Sequence, residues 1–431
     1  MSTHHHNNLA GKHIAVVGGG LAGLAAAKVL ADGGASLEVI ESSDRLGGRV
    51  ASDVIDGFTV DHGFQVYLSA YPEGERLLHL RDLDLQPFMP GALVWNGARA
   101  ATVAHPLREP LAALVGALRG VIPVRDALRM IPFALAAAHG PAGGPGTPSG
   151  RTVLEELEAA GVSRRTIDGF FRPFLGGVFL DRSLNTDSSR MRFLLRMFAE
   201  GFACVPAKGM RAIPEQLAAS IAQGRILLNS RVVAVEGTHL KLASGETREA
   251  DAVILATGAH QLARILPAFS DLARLHEIPW CSTLSAWFAT PDPSVLPRWL
   301  VLNGSGQGAF NHGAAMSAIA PGYAPSGRGL FVANSAYLPH GIDTCRDLAE
   351  DMRRTLGEIL GRRATDGWQL VSLQRIRHAI PRQWPRDLGT HLPASLGPHV
   401  FIAGDHLEDS SINGALRSGR LAAAACLRSF A

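Results

Sequence analysis

A short apolar run, His13 to Val17 (HIAVV), ends on Gly18-Gly19-Gly20, and an alanine- and leucine-rich stretch from Leu21 to about Asp32 follows. That switch predicts a strand, a tight turn and a helix, with Gly33-Gly34 stopping the helix. A second apolar run, Leu37 to Ile40, predicts another strand and ends at Glu41. Val54-Ile55 and Phe58 to Val60 alternate around Asp56-Gly57, the pattern of a hairpin, and Leu93 to Trp95 and Arg99 to Val103 do so around Asn96-Gly97. From Pro106 to His139 the chain is apolar, helical in composition and dotted with proline and arginine. Residues 141–150 read as a linker. Ser163 to Gly201 is amphipathic and helical, with interruptions expected at Pro173 and Gly176-Gly177; a helix is also expected from Pro214 to Ala222.

From Ile226 the period returns to two. Runs through RVVAV and HLKL lead to a buried strand, Ala252 to Leu255, closed by Ala256-Thr257-Gly258. Strand-like runs between residues 280 and 337, and another from Leu370 to His378, predict a second, mostly antiparallel sheet, with a helix from Thr344 to Leu360 between them. The last elements are a strand from His399 to Asp405 and a helix opened by Asn413-Gly414, with Ser418-Gly419 as its close-packing face.

Composition narrows the class. The chain has 431 residues, 47% apolar and 18% charged, which indicates a globular protein of two or three domains. A net charge of +3 gives no footing for nucleic acid. Cys204, Cys281, Cys345 and Cys426 are widely spaced, so neither a metal site nor a disulfide framework is expected, and a reducing, cytoplasmic location fits. The polar start, MSTHHHNNLAGKH, lacks an apolar signal core, and its histidines read as a frayed tail. No uninterrupted apolar run between Pro106 and His139 reaches the roughly 18 residues of a spanning helix. Buried core helices are the first reading there, and peripheral contact with the inner face of a membrane is the second.

The candidate chemistry begins at Gly18-x-Gly20-x-x-Gly23. In such a turn the first glycine permits the bend, the second lets backbone approach a pyrophosphate and the third lets helix pack on strand. Leu21 and Ala22 open the helix whose free amides face the phosphates. Glu41 stands where a carboxylate accepts from an adenosine ribose. His62 reads as a hydrogen-bonded structural histidine, with a catalytic role as the alternative.

Five segments in order make the chain resemble the flavin amine oxidase, phytoene desaturase and protoporphyrinogen oxidase superfamily, closest in look to the desaturase branch: GGGLAGL with Glu41, DRLGGRV, GFTVDHG, PAKGMRAIPEQLA and FIAGDHLEDSSINGALRSGRLAA. The resemblance implies non-covalent FAD. It assigns Gly18, Gly20, Leu21, Ala22, Gly23, Glu41, Gly47, Gly48 and Arg49 to the nucleotide end, the Val233 backbone to adenine, and Asp405, Ile412 and Asn413 to the flavin end. The implied fold is α/β: a discontinuous Rossmann-like FAD-binding domain of the two-dinucleotide-binding-domain flavoprotein type. Into it is inserted an α+β substrate domain with a mostly antiparallel sheet and a helical region. The expected FAD-binding parts are 10–62, 205–265 and 397–431; the substrate parts are 63–204 and 266–396.

There are departures from the family pattern. Lys208-Gly209-Met210 replaces the usual Gly-Gly-Met, Ser410 and Ser411 stand where a covalent flavin cysteine occurs, and no lysine follows Lys241. Amine oxidases of the superfamily commonly carry a lysine bridged to flavin N5, so its absence argues against amine chemistry. The expected activity is an FAD-dependent desaturase or dehydrogenase acting by hydride transfer to flavin N5 on a small hydrophobic, isoprenoid- or carotenoid-like substrate. Quinone or O2 is the expected electron acceptor. Phe170, Phe171, Phe174, Phe179, Met191 and Met197 are expected as pocket walls or core. A protoporphyrinogen- or amine-type oxidase using O2 is one alternative, favoured by Arg377-His378-Ala379-Ile380-Pro381; a redox-neutral flavin-dependent isomerase is another. No catalytic side chain is assigned.

Overall fold

A computed structural model describes residues 9–104, 108–109, 111, 116, 122–138, 144, 147–221, 224–266, 278–336, 342–388 and 394–430. The HIAVV run forms β1 (His13–Val17), the middle strand of a parallel five-stranded sheet. Its order is Arg225–Leu227, β2 (Ser36–Ile40), β1, Ala252–Leu255 and Val400–Ile402. Strands so assembled are covered on both faces, which explains why they read as unbroken apolar runs. Helix α1 (Leu21–Asp32) connects β1 to β2. The C-terminal helix, Ile412–Ser429, crosses α1 closely enough that a Cβ on Gly419 would stand 2.0 Å from the Ala22 carbonyl oxygen. Glycine is therefore required at that crossing, and it ties the end of the chain to the helix that opens the nucleotide turn.

The second sheet has seven strands, in the order Gln369–Pro381, Trp280–Thr290, Gly329–Ser335, His312–Ala315, Leu300–Asn303, Gly91–Trp95 and Ala100–Ala104. Every pairing is antiparallel except that of Leu300–Asn303 with Gly91–Trp95. Strands from sequence-distant segments thus share one surface. A small three-stranded sheet, Val232–Glu236, His239–Leu242 and Thr247–Glu249, follows Arg225–Leu227, which itself belongs to the parallel sheet. Ser52–Ile55 and Phe58–Asp61 form the expected hairpin, with Asp56 at φ +50° and Gly57 at +82°, the two left-handed residues of a type I′ turn. Asp61 is buried and accepts from the Ser52 hydroxyl (2.5 Å), the Met210 N–H (3.0 Å) and the Tyr323 hydroxyl (2.7 Å). It locks the hairpin to the Lys208-Gly209-Met210 turn.

Several boundaries differ from expectation. Pro173 lies inside a continuous helical stretch, Arg164–Val178, directly after a π-turn, Ile167–Phe171, in which the Arg172 N–H reaches back to the Ile167 carbonyl; the expected interruption is a local break in the regular hydrogen bonding and not an end of the helix. Gly176 and Gly177 lie inside that helix, and a Cβ on Gly177 would be 2.6 Å from the His312 ring. The chain leaves the helix only after Val178 and re-enters one at Ser188–Glu200. The helix expected from Pro214 to Ala222 spans Ala212–Ala219. Of the apolar Pro106–His139 stretch, Val124–Ala138 is a helix containing Pro132, and much of the rest lies outside the described residues. Among the described residues, no helix is long and apolar enough to cross a membrane. Phe171, Met191 and Met197 are core, while Phe170, Phe174 and Phe179 are half-buried.

Candidate functional site: a dinucleotide cradle at the head of the parallel sheet

Gly18 leaves β1 at φ +108°, and its N–H donates to the Ile40 carbonyl at 2.8 Å. A Cβ on Gly23 would lie 1.9 Å from the Gly18 carbonyl oxygen, so α1 packs on the turn only because Gly23 has none. A Cβ on Gly20 would meet nothing within 4 Å, which leaves the open side of the turn free for a ligand's approach. Leu21 and Ala22 are buried in the first turn of α1, behind that face. The turn is held by Glu41: Oε2 accepts from the Gly19 N–H at 2.7 Å, and Oε1 from the Ser43 N–H and hydroxyl, both at 2.8 Å.

The second glycine pair docks directly on the first. The Gly47 N–H donates to the Gly19 carbonyl at 2.8 Å, and Gly47 and Gly48 adopt φ +104° and +59°. Arg49 then reaches the other end of the chain, with a bidentate pair to Asp405 at 2.8 and 2.6 Å and a third bond to the Ala379 carbonyl at 3.1 Å. Val233 is skipped in the ladder between Val232↔Leu242 and Ala234↔Lys241. Such a bulge leaves backbone groups unpaired with the neighbouring strand. The segment before it is bound to the Glu41 loop through Ser230 N–H to the Glu41 carbonyl (2.8 Å).

At the far end, Ser411 caps the C-terminal helix, its hydroxyl accepting from the Gly414 N–H at 3.0 Å. Ile412 is half-buried. Asn413 is buried, its Oδ1 accepting from the Glu73 N–H at 3.1 Å. His62 is bonded on both ring nitrogens, to Arg45 at 3.1 Å and Asp53 at 2.7 Å, and so is held by neighbours of the hairpin.

Two groups, Trp280 and His260, come from positions that sequence reasoning did not single out, and they meet His378 of the Arg377–Pro381 segment. Trp280 stacks against Arg49 (5.4 Å) and meets the ring of His378 edge-on, and His378 stacks on His260 at 4.4 Å. Thr257 Oγ1, Trp280 Nε1, His406 Nε2 and Asp409 Oδ2 are buried without hydrogen-bond partners. Buried polar atoms are normally paired, and one such atom by the Gly18 turn, Thr257, with three near the Arg49–Asp405 pair, fits a large polar ligand. The glycine cradle, the Arg49–Asp405 bridge and these groups fit FAD. Burial pushes the His406 imidazole down to about 4 and lifts Asp409 above its usual range.

Burial also pushes His312 down to about 4. A histidine neutral in the fold but titrating near 6.5 when unfolded makes the unfolded state bind the extra proton between those values. Its contribution is complete above about 6.5 and is lost as pH falls towards 4. Replacing His312 with Phe should therefore reduce the loss of stability between pH 6.5 and 4.5, by close to one proton in the slope. Urea midpoints at a series of pH values measure it, and parallel curves for the two proteins would contradict it.

Comparison with known proteins agrees with this geometry. Residues 21–427 match the family described as flavin containing amine oxidoreductase. Over 317 residues the chain is 27% identical to 15-cis-phytoene desaturase of Narcissus pseudonarcissus, covering 65% of this chain and 52% of that protein. Over 113 residues it is 35% identical to coproporphyrinogen III oxidase of Propionibacterium freudenreichii, covering 26% and 20%. The chain thus matches at most about half the length of these relatives. Among solved structures, an oxidoreductase of Methanosarcina mazei superposes with a TM-score of 0.76 over 94% of this chain and 98% of that one, at 16% identity, a likeness of fold.

Proposed function

The chain belongs to the flavin containing amine oxidoreductase family, and on that premise we propose that it is an FAD-dependent desaturase or dehydrogenase acting on a hydrophobic, isoprenoid- or carotenoid-like substrate. Bound FAD supplies the hydride acceptor. The protein's part is to hold the cofactor and to place an apolar chain against it in a dry site. The observation that carries the reading is that none of the chain's four lysines is buried to serve amine chemistry. Lys12 pairs with Asp251, Lys28 with Asp32, and Lys208 and Lys241 are exposed. At the end where the C-terminal helix begins, His406 is held neutral. The desaturase relative, matched over 65% of this chain, points the same way.

The test is anaerobic mixing of the FAD-loaded protein with a detergent-solubilised acyclic isoprenoid polyene. The flavin band should bleach as a longer-wavelength polyene appears, and a polyamine should leave it yellow. Bleaching by the polyamine alone would refute the proposal.

A second reading, an oxidase of the protoporphyrinogen type, is favoured by the Arg377–Pro381 segment, whose Ala379 carbonyl binds Arg49. Steady hydrogen peroxide production with a porphyrinogen would select it over a quinone-linked desaturase.

We infer peripheral membrane contact from the helix Val124–Ala138. Val124, Leu128 and Ile131 form an i, i+4, i+7 stripe that is 66%, 61% and 51% exposed, beside the exposed Arg125. Its opposite face is anchored by Asp126, which accepts from Thr166 Oγ1 (2.5 Å) and the Ser163 hydroxyl. Leu128→Glu with Ile131→Glu should abolish co-sedimentation with anionic liposomes; unchanged co-sedimentation would exclude this stripe.

A further inference from the structure

One row crosses the seven-stranded sheet in register: Gln374, Ser285, Asn334, His312, Leu302 and Val94. Strand alternation puts these side chains on the same face as Trp287, Val332 and Ala314, which are apolar and buried. Four of the six are polar, and three of these, Ser285, Asn334 and His312, are buried where the face is otherwise hydrophobic.

The hydrogen-bond donors of this row can be assigned. Asn311 Nδ2 donates to the Pro173 carbonyl at 2.9 Å, which fixes the orientation of that amide. Its second proton therefore goes to His312 Nδ1 at 2.9 Å, and His312 must carry its own proton on Nε2. Gln374 Oε1 accepts from the Gly63 N–H at 2.6 Å, which leaves the Gln374 amide as a donor. Neither the His312 Nε2 proton nor the Gln374 NH2 has a protein acceptor among the described residues. Between them, one end of the Asn334 amide is taken by the Thr283 and Ser285 hydroxyls at 3.1 and 2.5 Å.

The row has a direction. Its polar end lies against Gly63, next to Gln65, which donates to the Arg49 carbonyl at 2.7 Å, so it adjoins the cofactor cradle. Its other end, Leu302 and Val94, packs with the half-buried Phe170 and Phe174. We propose that the row binds a neutral oxygen function, a carbonyl or hydroxyl, at the reacting end of the substrate, with the apolar chain lying along Leu302 and Val94 beneath Phe170 and Phe174. This rests on the desaturase or dehydrogenase reading and narrows it to oxygenated isoprenoids. Donors reject an ammonium, which has no lone pair to offer. Buried neutral groups reject a carboxylate, because no cation in the row compensates it. Burial keeps His312 uncharged at neutral pH, consistent with that choice.

The test titrates FAD-loaded protein with two detergent-solubilised polyenes of one skeleton, a pure hydrocarbon and its terminal keto derivative, reading the shift of the flavin band. The keto compound should bind about tenfold tighter, the effect of one hydrogen bond. His312→Phe should erase the preference; it also leaves the Asn311 N–H that His312 Nδ1 accepts without a partner, so a modest fall in melting temperature is expected, and the loss of preference at unchanged hydrocarbon affinity is the readout that a merely structural histidine would not give. His312→Gln, which restores an N–H donor, should recover the preference. Asn334→Leu, should His312→Phe not fold, must also weaken keto binding. Equal affinities in the wild type, or a preference that survives His312→Phe, overturn the proposal. Anaerobic bleaching is read separately: selective keto binding without bleaching supports the row and refutes the desaturase reading. Bleaching with equal affinities for the two polyenes does the reverse.

Discussion

Gly20→Val should give a folded, colourless protein. A Cβ there meets no protein atom within 4 Å, and Gly20 sits at the extended helix-cap position, φ −75° and ψ 178°, which valine adopts. The cost to the fold is the weaker cap, about 1 kcal/mol. The cost to cofactor is larger, because the branched side chain fills the face along which the pyrophosphate must approach; misfit of that size is worth about 1.5–3 kcal/mol, roughly 10- to 150-fold in affinity. Gly23→Ala, three residues away, should behave oppositely. Its Cβ would lie 1.9 Å from the Gly18 carbonyl, so α1 must move off β1 and the protein itself should be destabilised. The ratio of absorbance at the flavin band to that of the protein, taken with a thermal melt, separates the two outcomes. A yellow, fully loaded Gly20→Val protein would refute the site.

Arg49→Met is the second large effect. Its guanidinium joins the second glycine pair to the last segment of the chain through Asp405, whose side chain is 6% exposed against 42% for Arg49. Removing Arg49 strands a buried carboxylate, which costs about 3 kcal/mol, the low end of the range for breaking such pairs because one partner is half exposed. Asp405→Leu should cost less, since a released Arg49 can turn to water. The double variant should be more stable than Arg49→Met alone and should still bind FAD poorly. Urea melts of the apo proteins close this cycle, and FAD titration gives the affinities. Additive losses in the cycle would show that the two residues are uncoupled.

The parts of the site legible in the sequence are local. The β1–turn–α1–β2 unit and the Asp56-Gly57 hairpin declare themselves because a glycine, an acid and a change of period fall within a few tens of residues. Ser418-Gly419 was readable as a contact face, and Gly419 does meet Ala22. The Trp280–His378–His260 stack and the polar row through His312 were not readable, because each joins residues from separate strands or elements and has no spacing to betray it. Pro173 and Gly176-Gly177 look like breakers in the sequence because composition reports local preference alone. The structure accommodates the proline with a π-turn just before it and puts Gly177 where His312 must approach.

The parallel sheet draws its five strands from both ends and the middle of the chain, with β1 at residue 13 bonded to Ala252–Leu255 and that strand to Val400–Ile402. During synthesis, then, the nucleotide turn emerges from the ribosome hundreds of residues before the strand and helix that complete its support. Contacts of such sequence separation close slowly. The parallel sheet cannot be completed until residue 402 has left the exit tunnel, whereas every strand of the seven-stranded sheet precedes residue 382. Cofactor capture is consequently a late event, and loading with FAD reports that the whole polypeptide has been made and folded.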